Sequence, residues 1–388
     1  VSGEGTGYDA ARIEVLEGRE AVRRRPGMYV GSTGERGLHE LVFAVVGRAV
    51  NQVLAEGGDS IDVTLTPDGG VRVTDDAPGG SFEAAADSAG PGLEALLTTL
   101  HMGCRAPVDR RVAHVGIGTG LFVANALSSR LTAEVRCAGE RRVQVHARGV
   151  AVTSPAAAGP ASGHGTAIAF WPDSEIFETT RCSFAVLAER FRQIAFLNRG
   201  LGISLTDERP AGGTRAVRFR FPDGVRDFVA ALAAETGSAL DPGVIGFERE
   251  DTRMAGRMEV ALLWSGSREG RVRGFANSRA TPEGGTHLDG FRDGVAAAVT
   301  AYAREQRLLA AGDPGPDADR ITDGLTAVVS VALDQPEFRG STRGQLGNTE
   351  VRLCVAESVR EHLADWFEEH SEQAAEFVGR LLRAGRQD

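Results

Sequence analysis

Leu38-His39-Glu40-Leu41-Val42-Phe43-Ala44-Val45-Val46-Gly47-Arg48-Ala49-Val50-Asn51-Gln52 is the stretch that decides how the chain is read. Positions 40, 44, 48 and 52 are four apart, so on a 3.6-residue helix they stack along one side. That stripe reads Glu40, Ala44, Arg48, Gln52. Val42, Phe43, Val45, Val46, Ala49 and Val50 supply the apolar remainder of a core-facing helix. The spacing predicts a helix that carries functional side chains on one stripe and buries the rest.

With 388 residues the chain exceeds the size at which a single core usually stops growing, so two domains are expected. No run approaches the roughly 18 apolar residues of a membrane span, and no signal-peptide pattern is visible, so a soluble cytoplasmic protein without membrane attachment is expected. Cys104, Cys137, Cys182 and Cys354 are scattered without CxxC spacing and read as reduced thiols. No metal site is expected from them. The net charge of −10 argues against DNA binding by this chain alone, since such binding rests on phosphate neutralisation. All 43 basic residues are arginine, which weakens any argument from a single Lys-to-Arg difference.

Ile61-Asp62-Val63-Thr64-Leu65 and Val71-Arg72-Val73-Thr74 alternate with period two around Pro67-Asp68-Gly69-Gly70, a hairpin signal. Further strands are expected at Met258–Trp264 and Ala327–Leu333, with a long helix from about Thr349. The segment Ala310–Pro316 reads as a Gly/Pro-rich loop. The chain is expected to divide near residue 222, into domains of residues 1–222 and 223–388.

Several segments, taken in order, resemble the ATPase region of DNA gyrase B. They include Arg25-Pro26-Gly27-Met28-Tyr29-Val30-Gly31, Gly37-Leu38-His39, Asn125-Ala126-Leu127-Ser128, Phe170-Trp171-Pro172, Gly284-Gly285-Thr286-His287-Leu288 and Leu346-Gly347-Asn348-Thr349-Glu350. The first half is also similar to the wider group of gyrase-like, histidine-kinase-like and mismatch-repair (GHKL) ATPases. The resemblance implies an α/β fold: a gyrase-like ATPase α/β sandwich followed by a transducer domain of the ribosomal-protein-like α/β type. It ends where the chain ends, which fits either a short paralogue or a piece of a longer chain. Val1 in place of Met would fit a GTG start read literally.

In that family the helix stripe runs His, Glu, Asn, Glu. Its first Glu is the general base for ATP hydrolysis and its Asn holds Mg²⁺. Here those positions are Ala44 and Arg48. Alanine cannot orient water or take its proton, a contribution of roughly 10²–10⁴-fold. A guanidinium stays charged and repels Mg²⁺, so no catalytic residue and no metal ligand is expected. The remaining candidates for repurposed chemistry are Glu40, Arg48, His114 and Asp75. Glu40 lies one helical turn, roughly 6 Å, from Ala44, too far to stand in for the base. Arg48 is expected instead to make the inner pocket an anion site that needs no metal, with Asn51 and Gln52 beside it.

The resemblance places Asp75 where the family binds the adenine amino group and Thr166 where a threonine supports it. On spacing alone, Asp75-Asp76 would simply end a strand in a turn; Thr166 in register favours the adenine contact. Gly79 belongs to the same motif, though Ala77 and Pro78 alter its loop. At the phosphate end, Gly116, Gly118 and Gly120 fall in the glycine-rich lid, Arg105 at the lid lysine, and His114 and Val115 at positions usually glycine. Arg343 falls where a second-domain lysine reaches the γ-phosphate, or it is a solvated arginine. Tyr8 lies in an N-terminal arm that crosses from one protomer to its partner in the family, so a homodimer is expected.

Three readings remain. The preferred one is a pseudo-ATPase: a paralogue that binds ATP, an ATP-like ligand or another small molecule without turning it over. The second is an enzyme, for instance of a biosynthetic pathway, using the remodelled pocket on another small molecule. The third is an ordinary topoisomerase ATPase domain with compensating changes.

Overall fold

The computed structural model describes residues 18–78, 81–83, 92–100, 120–235, 243–264, 270–310, 315, 324–340 and 344–384. The first half opens with helices α1 (Gly18–Arg24), α2 (Gly27–Val30) and α3 (Glu35–Glu56). The hairpin β1 (Ser60–Leu65) and β2 (Val71–Asp75) follows, paired antiparallel from Ile61↔Asp75 to Leu65↔Val71 as the alternation required. Then come α4 (Leu93–Thr98), α5 (Leu121–Ala126), β3 (Ser128–Cys137), β4 (Glu140–Ala147), β5 (Val150–Ala151), β6 (Ala156–Pro160) and β7 (Gly165–Pro172). Helix α6 (Phe184–Leu197) leads to β8 (Gly202–Asp207) and β9 (Arg215–Phe219). The strands form one mixed sheet in the order β5-β4-β3-β7-β2-β1-β8-β9, with β6 beside β4.

Ile61, Val63 and Leu65 are buried while Asp62 is exposed, so the helices cover one face of this sheet. Helix α3 is the centre of that layer. Leu38, Leu41, Val42, Val45, Val46, Ala49, Val50 and Val53 recur at helical spacing and are all buried. The helix has the length and mean hydropathy (1.2) of a membrane span. Most of it is enclosed by the protein, which identifies it as a core helix.

The second half contains α7 (Val225–Glu235), β10 (Ile245–Asp251), β11 (Gly256–Trp264), β12 (Arg271–Ala276), β13 (Arg279–Ala280), α8 (Thr286–Glu305) and β14 (Leu325–Leu333). After two short strands, β15 (Phe338–Arg339) and β16 (Gln345–Leu346), come α9 (Thr349–Glu369) and α10 (Ser371–Ala384). The single long helix expected from Thr349 is thus two, because the backbone leaves the helical region at His370. The second sheet runs β10-β11-β14-β12-β13. Val260 and Leu262 join the core formed with α8 and α9, whereas Ala261 and Leu263 join the core formed with α7. A strand buried on both faces has to read as a continuous apolar run, as β11 does.

Phe196 of α6 joins the halves, stacking on Phe221 at 3.6 Å and on Phe228 of α7 at 4.6 Å between ring centroids. Beside it, the Asn277-Ser278 turn between β12 and β13 is buried with positive φ at both residues, 49° and 58°. Such a two-residue turn matches the strand twist but strains a non-glycine residue. Helix α6 holds it in place: Arg190 donates to the Ser278 carbonyl at 3.3 Å and Asn198 to the Ser278 hydroxyl at 3.2 Å.

Candidate functional site

Helix α3 packs across β2 and β7, which brings its polar stripe over the ends of both strands. Asp75 closes β2 and Thr166 is the second residue of β7, with Thr74 opposite Ala167 in the antiparallel pair. The carboxylate of Asp75 is 2% exposed and accepts through Oδ1 from the Thr166 N–H at 3.2 Å and the Ala77 N–H at 3.3 Å. Its neighbour Asp76 faces the other way and accepts from the backbone N–H groups of Asp59 and Ser60, each at 3.1 Å. The two adjacent carboxylates therefore have different partners: Asp76 holds the backbone at the start of β1, and Asp75 meets Arg48.

Arg48 lies against Asp75. Its Nη1 donates to Asp75 Oδ2 at 2.5 Å and its Nη2 to Thr166 Oγ1 at 3.1 Å, with a longer contact to Gln52 Oε1 at 3.4 Å. Its Nε is buried with no hydrogen-bond partner among the described residues. The expected anion site at Arg48 meets a guanidinium already engaged by Asp75 and Thr166, the two residues that the resemblance assigns to adenine. The physical reason is the cost of burial. An uncompensated charge of this kind is strongly disfavoured, Asp75 is the carboxylate within reach, and the arginine stem is long enough to reach it. Burial lowers the Arg48 pKa and raises that of Asp75, while the attraction between them opposes both shifts. Because a guanidinium keeps its proton at any relevant pH, the pair is ionised.

The other stripe residues fall as follows. Ala44 is 3% exposed and belongs to the hydrophobic core. Asn51 and Gln52 lie on α3 at partial exposure, and of the two Gln52 meets Arg48. Glu40 is half-buried, and burial raises its carboxyl above the usual range against the pull of Arg279, Arg190 and Arg36. It serves the junction with the second half. Arg190, buried so that its pKa falls to about 10, is its counterpart on α6. Nothing in the local pattern pointed to Arg190, because only tertiary packing brings it to Glu40. Gly120, with φ of 93°, precedes α5. Tyr8, Gly79, Arg105, His114, Gly116, Gly118 and Arg343 lie outside the described residues.

Asp75 has its oxygens engaged by Arg48 and two backbone N–H groups, and the position of the expected metal ligand carries a fixed cation. Among the described residues no group of three or more His, Cys, Asp or Glu side chains is placed to hold a metal ion.

The DNA gyrase B family model matches residues 224–388. The chain is 42% identical over 393 residues to the DNA gyrase B protein of Streptomyces coelicolor, covering 97% of this chain and 57% of that protein. It is 43% identical over 392 residues to the novobiocin-resistant DNA gyrase B protein of Streptomyces niveus, covering 97% and 58%. It thus spans somewhat over half the length of these curated relatives. The solved 43K ATPase domain of Thermus thermophilus gyrase B, in complex with an aminocoumarin, superposes with a TM-score of 0.81 at 31% identity over 95% of both chains. The likeness runs through nearly the whole of both halves, and the chain belongs to the DNA gyrase B family.

Proposed function

We propose that this chain is a gyrase-B-type module that does not hydrolyse ATP and whose adenine site is held at rest by its own Arg48. Residues 1–222 form the ATPase-like domain and residues 223–388 the transducer in this reading. The observation that carries it is the Arg48 guanidinium on Asp75 and Thr166, where the resemblance puts the adenine ring. Ala44 supports it, since no carboxylate stands at the base position. A nucleotide would enter only after Arg48 leaves Asp75. Uncovering one member of such a pair costs roughly 3–5 kcal/mol, which weakens binding by roughly two to nearly four orders of magnitude. The chain's role is then to present the gyrase B fold, singly or as a homodimer, to a partner or to another small ligand. DNA strand passage is not part of the proposal.

The test is calorimetric titration with ATP and a non-hydrolysable analogue, with and without Mg²⁺, on wild type and on Arg48→Asn. Wild type is expected to bind weakly or not at all and Arg48→Asn to bind measurably. Turnover is expected only in Ala44→Glu/Arg48→Asn, read in a coupled phosphate assay. Tight binding or hydrolysis of ATP by the wild-type protein would overturn the reading.

A further inference from the structure

A cleft of about 560 Å³ opens between the halves, away from the Arg48 pocket. Its size is that of a small-molecule site, and junctions between domains are where such sites concentrate. Gln193 of α6 lines it from one side; Arg273 of β12, Thr281, Arg292 of α8 and Gln345 of β16 line it from the other. The polar groups there are unevenly engaged. Arg292 faces Asp289 at 3.4 Å. Gln193 accepts from Arg190 through Oε1, which leaves its NH₂ as a donor. Thr281 Oγ1 is 3.0 Å from Nε2 of His287, a fully buried imidazole with no carboxylate acting on it.

Arg273 differs from all of these. It is partly buried, and it makes no ion pair or hydrogen bond among the described residues. Its guanidinium carbon lies 5.8 Å from the centroid of the Phe228 ring. A guanidinium that lines a cavity and lacks an acceptor favours an anionic occupant, most of all a carboxylate or phosphate that can take two parallel N–H bonds. The amide of Gln193 adds a donor from the opposite wall. Glu283 is the carboxylate that remains, and it stands at the exposed rim.

We propose that this cleft binds a small organic anion, phosphorylated or carboxylated, through Arg273 and Gln193. Because these residues belong to different halves, the ligand ties the halves together. The proposal is independent of the state of the adenine site.

Pyrophosphate and citrate are the probes, titrated separately by calorimetry and followed by thermal unfolding of the whole chain. At least one is expected to bind and to raise the melting temperature; which one does so distinguishes a phosphate from a carboxylate ligand. Arg273→Met keeps the apolar packing on Phe228 and removes the charge. It is expected to lower affinity about tenfold or more, with Arg273→Lys partly restoring it and Gln193→Ala giving a smaller loss. Absence of binding by both probes, or unchanged affinity in a folded Arg273→Met protein, would overturn the proposal.

Discussion

Arg48 in the first half, largely enclosed, and His287 in the second, fully buried, are both bases withdrawn from water, and they meet that in opposite ways. Arg48 cannot give up its proton, so it requires a carboxylate, and Asp75 lies 2.5 Å away. His287 is fully buried with no carboxylate acting on it, Arg292 disfavours its charge, and its pKa falls to about 4. It stays neutral and satisfies Nε2 with the Thr281 hydroxyl. The difference shows what a protein interior asks of a cation: an ionic partner or the loss of its charge. The same rule explains why the Arg48 guanidinium lies on the Asp75 carboxylate.

The largest effect is expected from removing the partner that Arg48 needs. Asp75→Ala leaves a buried guanidinium uncompensated and should lower stability by roughly 3–5 kcal/mol in urea denaturation. Arg48→Met on that background should recover most of the loss, because replacing a buried pair by apolar groups is often neutral. A loss well under 1 kcal/mol in Asp75→Ala would mean that Arg48 reaches solvent.

The second effect is on His287 and is read by pH. Its folded pKa of about 4 lies below the ordinary 6.5. Between those values the unfolded chain binds a proton and the folded chain does not. Stability should therefore fall as pH drops from about 6.5 towards about 4, by roughly 3 kcal/mol in all. His39, His146 and His362 are lowered by burial too and act in the same direction. Denaturation at a series of pH values, with His287→Gln as the non-titrating control, should show a shallower slope in the variant. An unchanged slope would assign the acid sensitivity to the other three.

Smaller effects grade the remaining partners of Arg48. Thr166→Val removes the acceptor at 3.1 Å and should cost about 1–2 kcal/mol. Gln52→Ala removes a contact at 3.4 Å and should change stability by about 0.5 kcal/mol or less. The reverse order, measured by the same denaturation, would mean that Gln52 is the main second anchor.

Much of this protein could be read from its residues. Periodicity defined α3 and the β1–β2 hairpin, because local spacing alone decides which side chains can share a face. The ordered motifs carried the family and the mixed α/β architecture, and an alanine at position 44 is visible without any tertiary information. The break at His370 was not legible, since the apolar pattern continues through it. The cleft beside Arg273 was not legible either, since its walls come from segments far apart in the chain. The direction of Arg48 was a tertiary decision in the same sense. The helix stripe placed its Cα correctly, but a long flexible stem can carry the guanidinium to either end of the pocket. What settles its course is a buried carboxylate 27 residues further along and a hydroxyl 118 residues away. A sequence determines which charge a helix carries, and the fold determines which partner that charge must find once water is gone.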